Sequence, residues 1–229
     1  MTEILPLRYR DGHVFVELAG EAWLLDTGAP ESFGASRGLT IAGQAFEPGE
    51  SYLGLDAAGL SELTGTPCAG LLGADVLGCF DHVFDLDAGR LEVSKSELAL
   101  RGRNVALEEF MGIPIVTARI GQGEHRMFFD TGAQYSYFQG DALDEHPDAG
   151  AVEDFYPGLG RFRTETRRVP LSLGGATLEL RCGRLPELIG LTLMMASVDG
   201  IVGNAVLHGR SVGYFPRRRR MSMGEEARA

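Results

Sequence analysis

One tetrapeptide occurs twice in this chain, and its surroundings repeat with it. Residues 23–29 read Trp23-Leu24-Leu25-Asp26-Thr27-Gly28-Ala29, and residues 127–133 read Met127-Phe128-Phe129-Asp130-Thr131-Gly132-Ala133. Both copies follow two bulky apolar residues. Ser32 and Ser136 stand at the same distance after their Asp. A tetrapeptide recurring in matched context within 229 residues is far outside chance. It makes duplication the first constraint on the fold.

Each copy has the same lead-in. The strand-like run His13 to Leu18 is followed by a turn near Gly20-Glu21 and then by Ala22 to Leu25. The run Ile113 to Ile120 is followed by a turn at Gly121-Gln122-Gly123 and then by the second motif. Each predicts a hairpin whose second strand ends at the Asp. Further on, Leu71-Leu72-Gly73 precedes Val76-Leu77, and Ile201-Val202-Gly203 precedes Val206-Leu207. Aligning those glycines sets Val83-Phe84 on Gly213-Tyr214 and Leu91-Glu92-Val93 on Met221-Ser222-Met223. The chain therefore divides into halves, 1–98 and 105–229, with a polar linker at 99–104. The second half is longer between its motifs, and the excess falls mostly in 140–168. With 32 glycines and short Val-, Leu- and Phe-containing runs, the expected class is all-β.

Composition narrows the function. The formal net charge is −11, which repels phosphate backbones, so no nucleic-acid partner is expected. No apolar run approaches the ~20 residues of a membrane helix, and the first residues lack a basic region and an apolar core, so no membrane partner and no signal peptide are expected. Cys68, Cys79 and Cys182 are an odd set without a CxxC pair, which fits buried free thiols and a cytoplasmic protein. The five histidines form no HxH or HExxH unit, so no metal or other cofactor is expected.

The doubled Asp-Thr-Gly-Ala, each followed by apolar-apolar-Gly, resembles the pepsin and retropepsin superfamily of aspartic peptidases. The form of the motif and the short lobes are closer to the retropepsins. The resemblance covers nearly the whole chain. It implies two closed, barrel-like β lobes related by a pseudo-twofold axis, with short helices after the apolar-apolar-Gly segments. It also implies a cleft between the lobes with Asp26 and Asp130 at its floor as the catalytic pair, and a polypeptide substrate. One chain supplies both halves, so a monomer is expected.

The chemistry of the residues agrees. Amide hydrolysis needs an activated water and an acid, and two close carboxyls sharing one proton supply both. Gly28 and Gly132 let the backbone turn and approach its partner. By resemblance, Thr27 and Thr131 bond across the lobe interface. Ala29 and Ala133 stand where pepsins usually carry Ser or Thr; without that hydroxyl the dyad is expected to be less acidic and to work at mildly acidic to neutral pH. The alternative function is a peptide-binding or scaffolding module that uses the same cleft without catalysis.

Members of the superfamily cover the cleft with a hairpin flap. Residues 153–168 are the candidate here: Gly158 and Gly160 mark its turn, while Phe155, Tyr156, Leu159 and Phe162 are its substrate-covering residues. The first half offers only residues 47–59, with Tyr52 as a flap-like tyrosine, so one true flap on the second lobe is expected. Two GxSxG matches, around Ser36 and Ser211, continue as strands rather than helices and do not form a nucleophile elbow. The basic run Arg217 to Arg220 aligns with the turn at Asp87–Arg90 and is expected to be a solvated turn.

Overall fold

The computed structural model describes residues 1–226. It is mostly β, with few short helices, and the strands form two large sheets. In the first half, strands His13–Leu18 and Glu21–Leu25 pair antiparallel. Ala19 and Gly20 turn between them with φ of 49° and 86°, the positive-φ pair whose twist suits a tight hairpin. In the second half, Ile113–Ile120 pairs with Gly123–Phe129 in the same way.

What positions the motifs is the strand that comes later. Gly70–Leu72 lies parallel to Glu21–Leu25 and antiparallel to Phe33–Gly34. Gly200–Val202 does the same between Gly123–Phe129 and Ser136–Phe138. All three residues of each inserted strand are buried. A strand covered on both faces must be apolar throughout, which explains the uninterrupted Leu71-Leu72 and Ile201-Val202. The opening glycines admit the neighbouring chain: a Cβ on Gly70 would meet the Phe33 carbonyl oxygen at 2.2 Å, and one on Gly200 the Tyr137 carbonyl oxygen at 2.0 Å. Trp23, fully buried, fills the space that Gly34 leaves open; a Cβ there would sit 2.5 Å from its ring.

The two lobes differ in closure. In the second, Ile113–Ile120 pairs back onto Gly160–Leu173 through Arg119↔Ser172 and Ile120↔Leu171, so its sheet returns on itself. In the first, the sheet ends at Phe33–Gly34. Two small hairpins, Leu39–Ile41 with Gln44–Phe46 and Ser51–Tyr52 with Leu55–Asp56, lie outside it.

A shared sheet joins the lobes. Its order is Gly102–Ala106, Arg220–Glu226, Arg210–Phe215, Asp81–Asp85, Arg90–Ser94 and Thr2–Arg10. The halves meet where Asp81–Asp85 pairs with Arg210–Phe215. Val83 lies opposite Gly213, the residue that the repeat makes its equivalent, so the pseudo-twofold axis passes through this pair. The sequence reading makes 99–104 a linker. In the structure, the chain from Gly102 onward is already the edge strand of this sheet. A Cβ on Gly102 would lie 2.1 Å from the Met223 carbonyl oxygen, so only glycine fits there. This strand is exposed at all but one residue, and so lacks the apolar alternation that would mark it in sequence.

The basic run forms the expected turn before the closing strand, with Arg217 and Arg219 exposed, but Arg217 and Arg218 also reach back to the first half. Both pair with Asp81, which is fully buried on the other half. Arg217 also donates to the Ser94 carbonyl, Arg218 to the Leu98 carbonyl, and the Leu98 amide donates to Asp81 at 2.9 Å. The run fastens the crossing between the halves.

Candidate active site

Each Asp follows a strand that points it at the other lobe. Between them the two threonines form a reciprocal set of hydrogen bonds. The Thr27 amide donates to Thr131 Oγ1 at 3.1 Å, and the Thr131 amide to Thr27 Oγ1 at 3.0 Å. Each hydroxyl then donates to the carbonyl before the opposite Asp: Thr27 to Phe129 at 2.6 Å, Thr131 to Leu25 at 2.8 Å. Both threonines are fully buried, where every polar group needs a partner. A hydroxyl donates and accepts at once, which no apolar isostere does.

The glycines explain how close the carboxyls come. A Cβ on Gly28 would lie 2.3 Å from Asp130 Cγ, and one on Gly132 would lie 2.4 Å from Asp26 Cγ. Each lobe's glycine thus vacates the space that the other lobe's carboxyl occupies. Asp26 Oδ1 accepts from the Gly28 and Ala29 amides, both at 2.9 Å. Asp130 Oδ1 accepts from the Gly132 and Ala133 amides at 2.9 and 3.1 Å. Ala29 and Ala133 therefore offer an amide to the carboxylates and no hydroxyl.

Burial drives the Asp26 carboxyl well above the usual carboxylate range. The Asp130 charge and the hydrogen bond between the two carboxyls add to it, and the Ala29 and Gly28 amides pull back. Asp130 is also raised, first by burial and more weakly by the charge of Asp154, against its hydrogen bonds to Asp26, Ala133 and Gly132. The pair titrates as one coupled unit that holds a proton above ordinary carboxylate pH.

The carboxyls open into a cleft of about 200 Å³. Among the residues expected at the flap, Tyr52, Phe155, Tyr156 and Phe162 line it. Gly158, Leu159 and Gly160 do not; they form the turn between strands Asp148–Tyr156 and Gly160–Leu173, with φ of 81° and 84° at the two glycines. Burial first, then the charges of Asp130, Tyr52 and Asp26, push the Tyr156 phenol up to about 12, so it stays a donor at neutral pH.

The expectation of one flap needs correcting. The first lobe has its own, the hairpin Ser51–Tyr52 with Leu55–Asp56, turned by Leu53 and Gly54. The two tips meet: a Cβ on Gly158 would lie 3.8 Å from Leu53 Cβ. Strands of two residues have no alternation to read. The second-lobe flap is also tied to the first lobe by Arg161, which donates to the Glu62 carbonyl at 3.1 Å.

Sequence reasoning missed Phe110, Met111, Ile189 and Leu193, which form a cleft wall with Tyr137 and Asp154. Ile189 and Leu193 are the buried positions of helix Glu187–Met195, and their i, i+4 spacing is a legible sign of one packed face. Phe110 precedes a tight turn and Met111 is its first residue, and neither carries such a sign. Of the set-aside serines, Ser211 lies inside strand Arg210–Phe215 and Ser36 donates to exposed Glu21. Among the described residues no cluster of His, Cys, Asp and Glu has the arrangement of a metal site, and no helix is long and apolar enough to cross a membrane.

No family model matches the chain, and no curated protein matches it by sequence. Solved structures do. An aspartic proteinase from Irpex lacteus superposes with a TM-score of 0.57 at 13% identity, covering 99% of this chain and 98% of that one. Basic 7S globulin from soybean superposes with a TM-score of 0.54 at 11% identity, covering 99% and 95%. The chain has the pepsin-like two-lobed all-β fold. One of these neighbours is named for an enzyme and the other is not, so the fold alone leaves activity to the site.

Proposed function

We propose that this chain is an aspartic endopeptidase whose dyad is Asp26 and Asp130. The observation that carries the reading is the mutual placement of Gly28 against Asp130 and Gly132 against Asp26, which brings two carboxyls together on an open cleft. Such a pair is costly in a purely structural interface, because close carboxyls repel or must hold a proton. With one proton between them, the ionised carboxyl takes a proton from water as it attacks the scissile carbonyl. The protonated one donates to the carbonyl oxygen. On collapse of the tetrahedral species, the carboxyl that took the water proton gives it to the leaving nitrogen while the other carboxylate takes back the hydroxyl proton as the carbonyl re-forms, so the pair again holds one proton. The apolar walls and the flap tyrosines would bind an extended polypeptide and exclude water.

One chain supplies both loops, so the site requires no second copy, and the three free cysteines fit a reducing, cytoplasmic setting. A second reading, a peptide-binding module without turnover, draws support from the globulin neighbour. Digestion of a denatured-protein peptide library across pH 3–8 separates the two. The enzyme reading expects cleavage, greatest at mildly acidic to neutral pH, with Asp26→Asn and Asp130→Asn each lowering the rate by about 10²–10⁴-fold or more. Peptide binding without cleavage at any pH would sink it.

A further inference from the structure

The second-lobe flap brings a third carboxyl to the wall of the cleft. Asp154 stands two residues before Tyr156, is 7% exposed, and lines the same cleft as Asp26 and Asp130. A buried carboxylate needs partners, and both of its partners are neutral. The Tyr137 hydroxyl donates to its Oδ2, and the Phe155 amide donates to its Oδ1 at 2.8 Å. Tyr137 belongs to strand Ser136–Phe138, which follows directly from the loop that holds Asp130. The bond therefore ties the covering hairpin to the rigid loop under it. The duplication does not explain it: the position equivalent to Tyr137 in the first half is Phe33, buried and without a hydroxyl.

We propose that Asp154 is a positioning residue of the cleft: through Tyr137 it pins the second-lobe flap to the Asp130 loop, and its carboxylate, when ionised, sets a negative charge beside the dyad. The proposal rests on the hydrolytic reading above for its consequence in turnover, but not for its effect on the dyad proton. The groups facing Asp154 come from every side. Tyr137 lies on the neighbouring strand, Asp26 and Asp130 share its cleft, and His13 packs its ring against Phe155 with centroids 5.7 Å apart. Behind the hairpin, a polar recess holds Asp11, Glu62, Glu153 and Arg161. Burial lowers the His13 pKa, so that imidazole is neutral at neutral pH, with Nδ1 at 3.2 Å from the Gly132 carbonyl oxygen. Arg161 is engaged with the Glu62 carbonyl. Burial raises the Asp154 pKa against its hydrogen bonds from Tyr137 and the Phe155 amide; once ionised, Asp154 repels a second negative charge on Asp130 and keeps the shared proton in place to higher pH.

Two substitutions separate the charge from the anchor. Asp154→Asn keeps an acceptor for Tyr137 and removes the charge. Tyr137→Phe keeps the carboxylate and removes the donor. Carbon-13 NMR titration of Asp-labelled protein reads the dyad proton with or without turnover, and steady-state cleavage of a library peptide is measured beside it. For Asp154→Asn, the dyad is expected to lose its last proton at lower pH than wild type. The alkaline limb of kcat/KM should move with it, and KM should change little. For Tyr137→Phe, KM is expected to rise several-fold. An Asp154→Asn titration that overlays wild type overturns the charge role, and an unchanged KM in Tyr137→Phe overturns the anchor. If wild type cleaves nothing but the titration still shifts, the charge role stands and the hydrolytic reading falls.

Discussion

Asp26 and Asp130 are placed against their own electrostatics, and that placement has a sign. Both carboxyls are raised in the folded chain, Asp26 the more strongly. A carboxyl raised on folding binds its proton more tightly in the folded than in the unfolded state. Its stabilising contribution is complete below the ordinary carboxylate range and is lost as pH rises through the raised folded value. At neutral pH the pair therefore weakens the fold. Asp26→Asn, which keeps the shape and removes the charge, should melt higher than wild type at pH 7, and the gap should narrow toward pH 3. Thermal melts at the two pH values check this, and a gap that widens in acid would contradict it. The residues of this scale were legible in the sequence, because Asp-Thr-Gly-Ala is contiguous and each member has a separate physical task. Asp154 was not, because its meaning comes from Tyr137 and Asp130, which are remote in the chain.

At the scale of elements, the two halves repeat each other with one exchanged support. In the first, Ser32 is buried, accepts the Gly73 amide at 2.8 Å and donates to Asp75 at 2.6 Å. In the second, Ser136 accepts the Gly203 amide at 3.0 Å, and the position equivalent to Asp75 is Ala205. Ser32→Ala removes the partner of the buried Gly73 amide and one of the two donors to the exposed Asp75 carboxylate, which keeps the Val76 amide, and should cost about 1–3 kcal/mol. Ser136→Ala loses the amide's partner and should cost less. Urea titrations of both variants decide it; equal losses would mean that Asp75 adds nothing. The inserted strands were readable as uninterrupted apolar runs ending in glycine. The first-lobe flap was not, since strands as short as Ser51–Tyr52 and Leu55–Asp56 show no period.

Across the whole molecule, the shared sheet makes the lobes one folding unit. Asp81 lies at the crossing with no exposed surface and takes Arg217, Arg218 and the Leu98 amide. Asp81→Ala removes a charged acceptor from both arginines and from the Leu98 amide, while the partly exposed arginines keep their carbonyl partners, and should destabilise by about 1.5–3 kcal/mol. Because the strands of the two halves lie side by side in that sheet, joined where Asp81–Asp85 pairs with Arg210–Phe215, the loss should appear in a single transition. Calorimetry showing two separate transitions, one per lobe, would refute this coupling.

The sequence by itself determined that the chain is a duplication and that its β hairpins end in paired Asp loops. The motifs are local, and their apolar lead-ins follow the period of a strand. Tertiary structure alone decided the rest. The halves share a sheet whose edge strand takes in residues 102–104 of the linker, the second lobe closes while the first stays open, and both lobes send a hairpin over the cleft. The physical reason is common to all three. Each depends on which backbone lies opposite which, as with Gly102 against Met223, Val83 against Gly213 and Gly158 against Leu53, and no run of neighbouring residues encodes a partner across the chain.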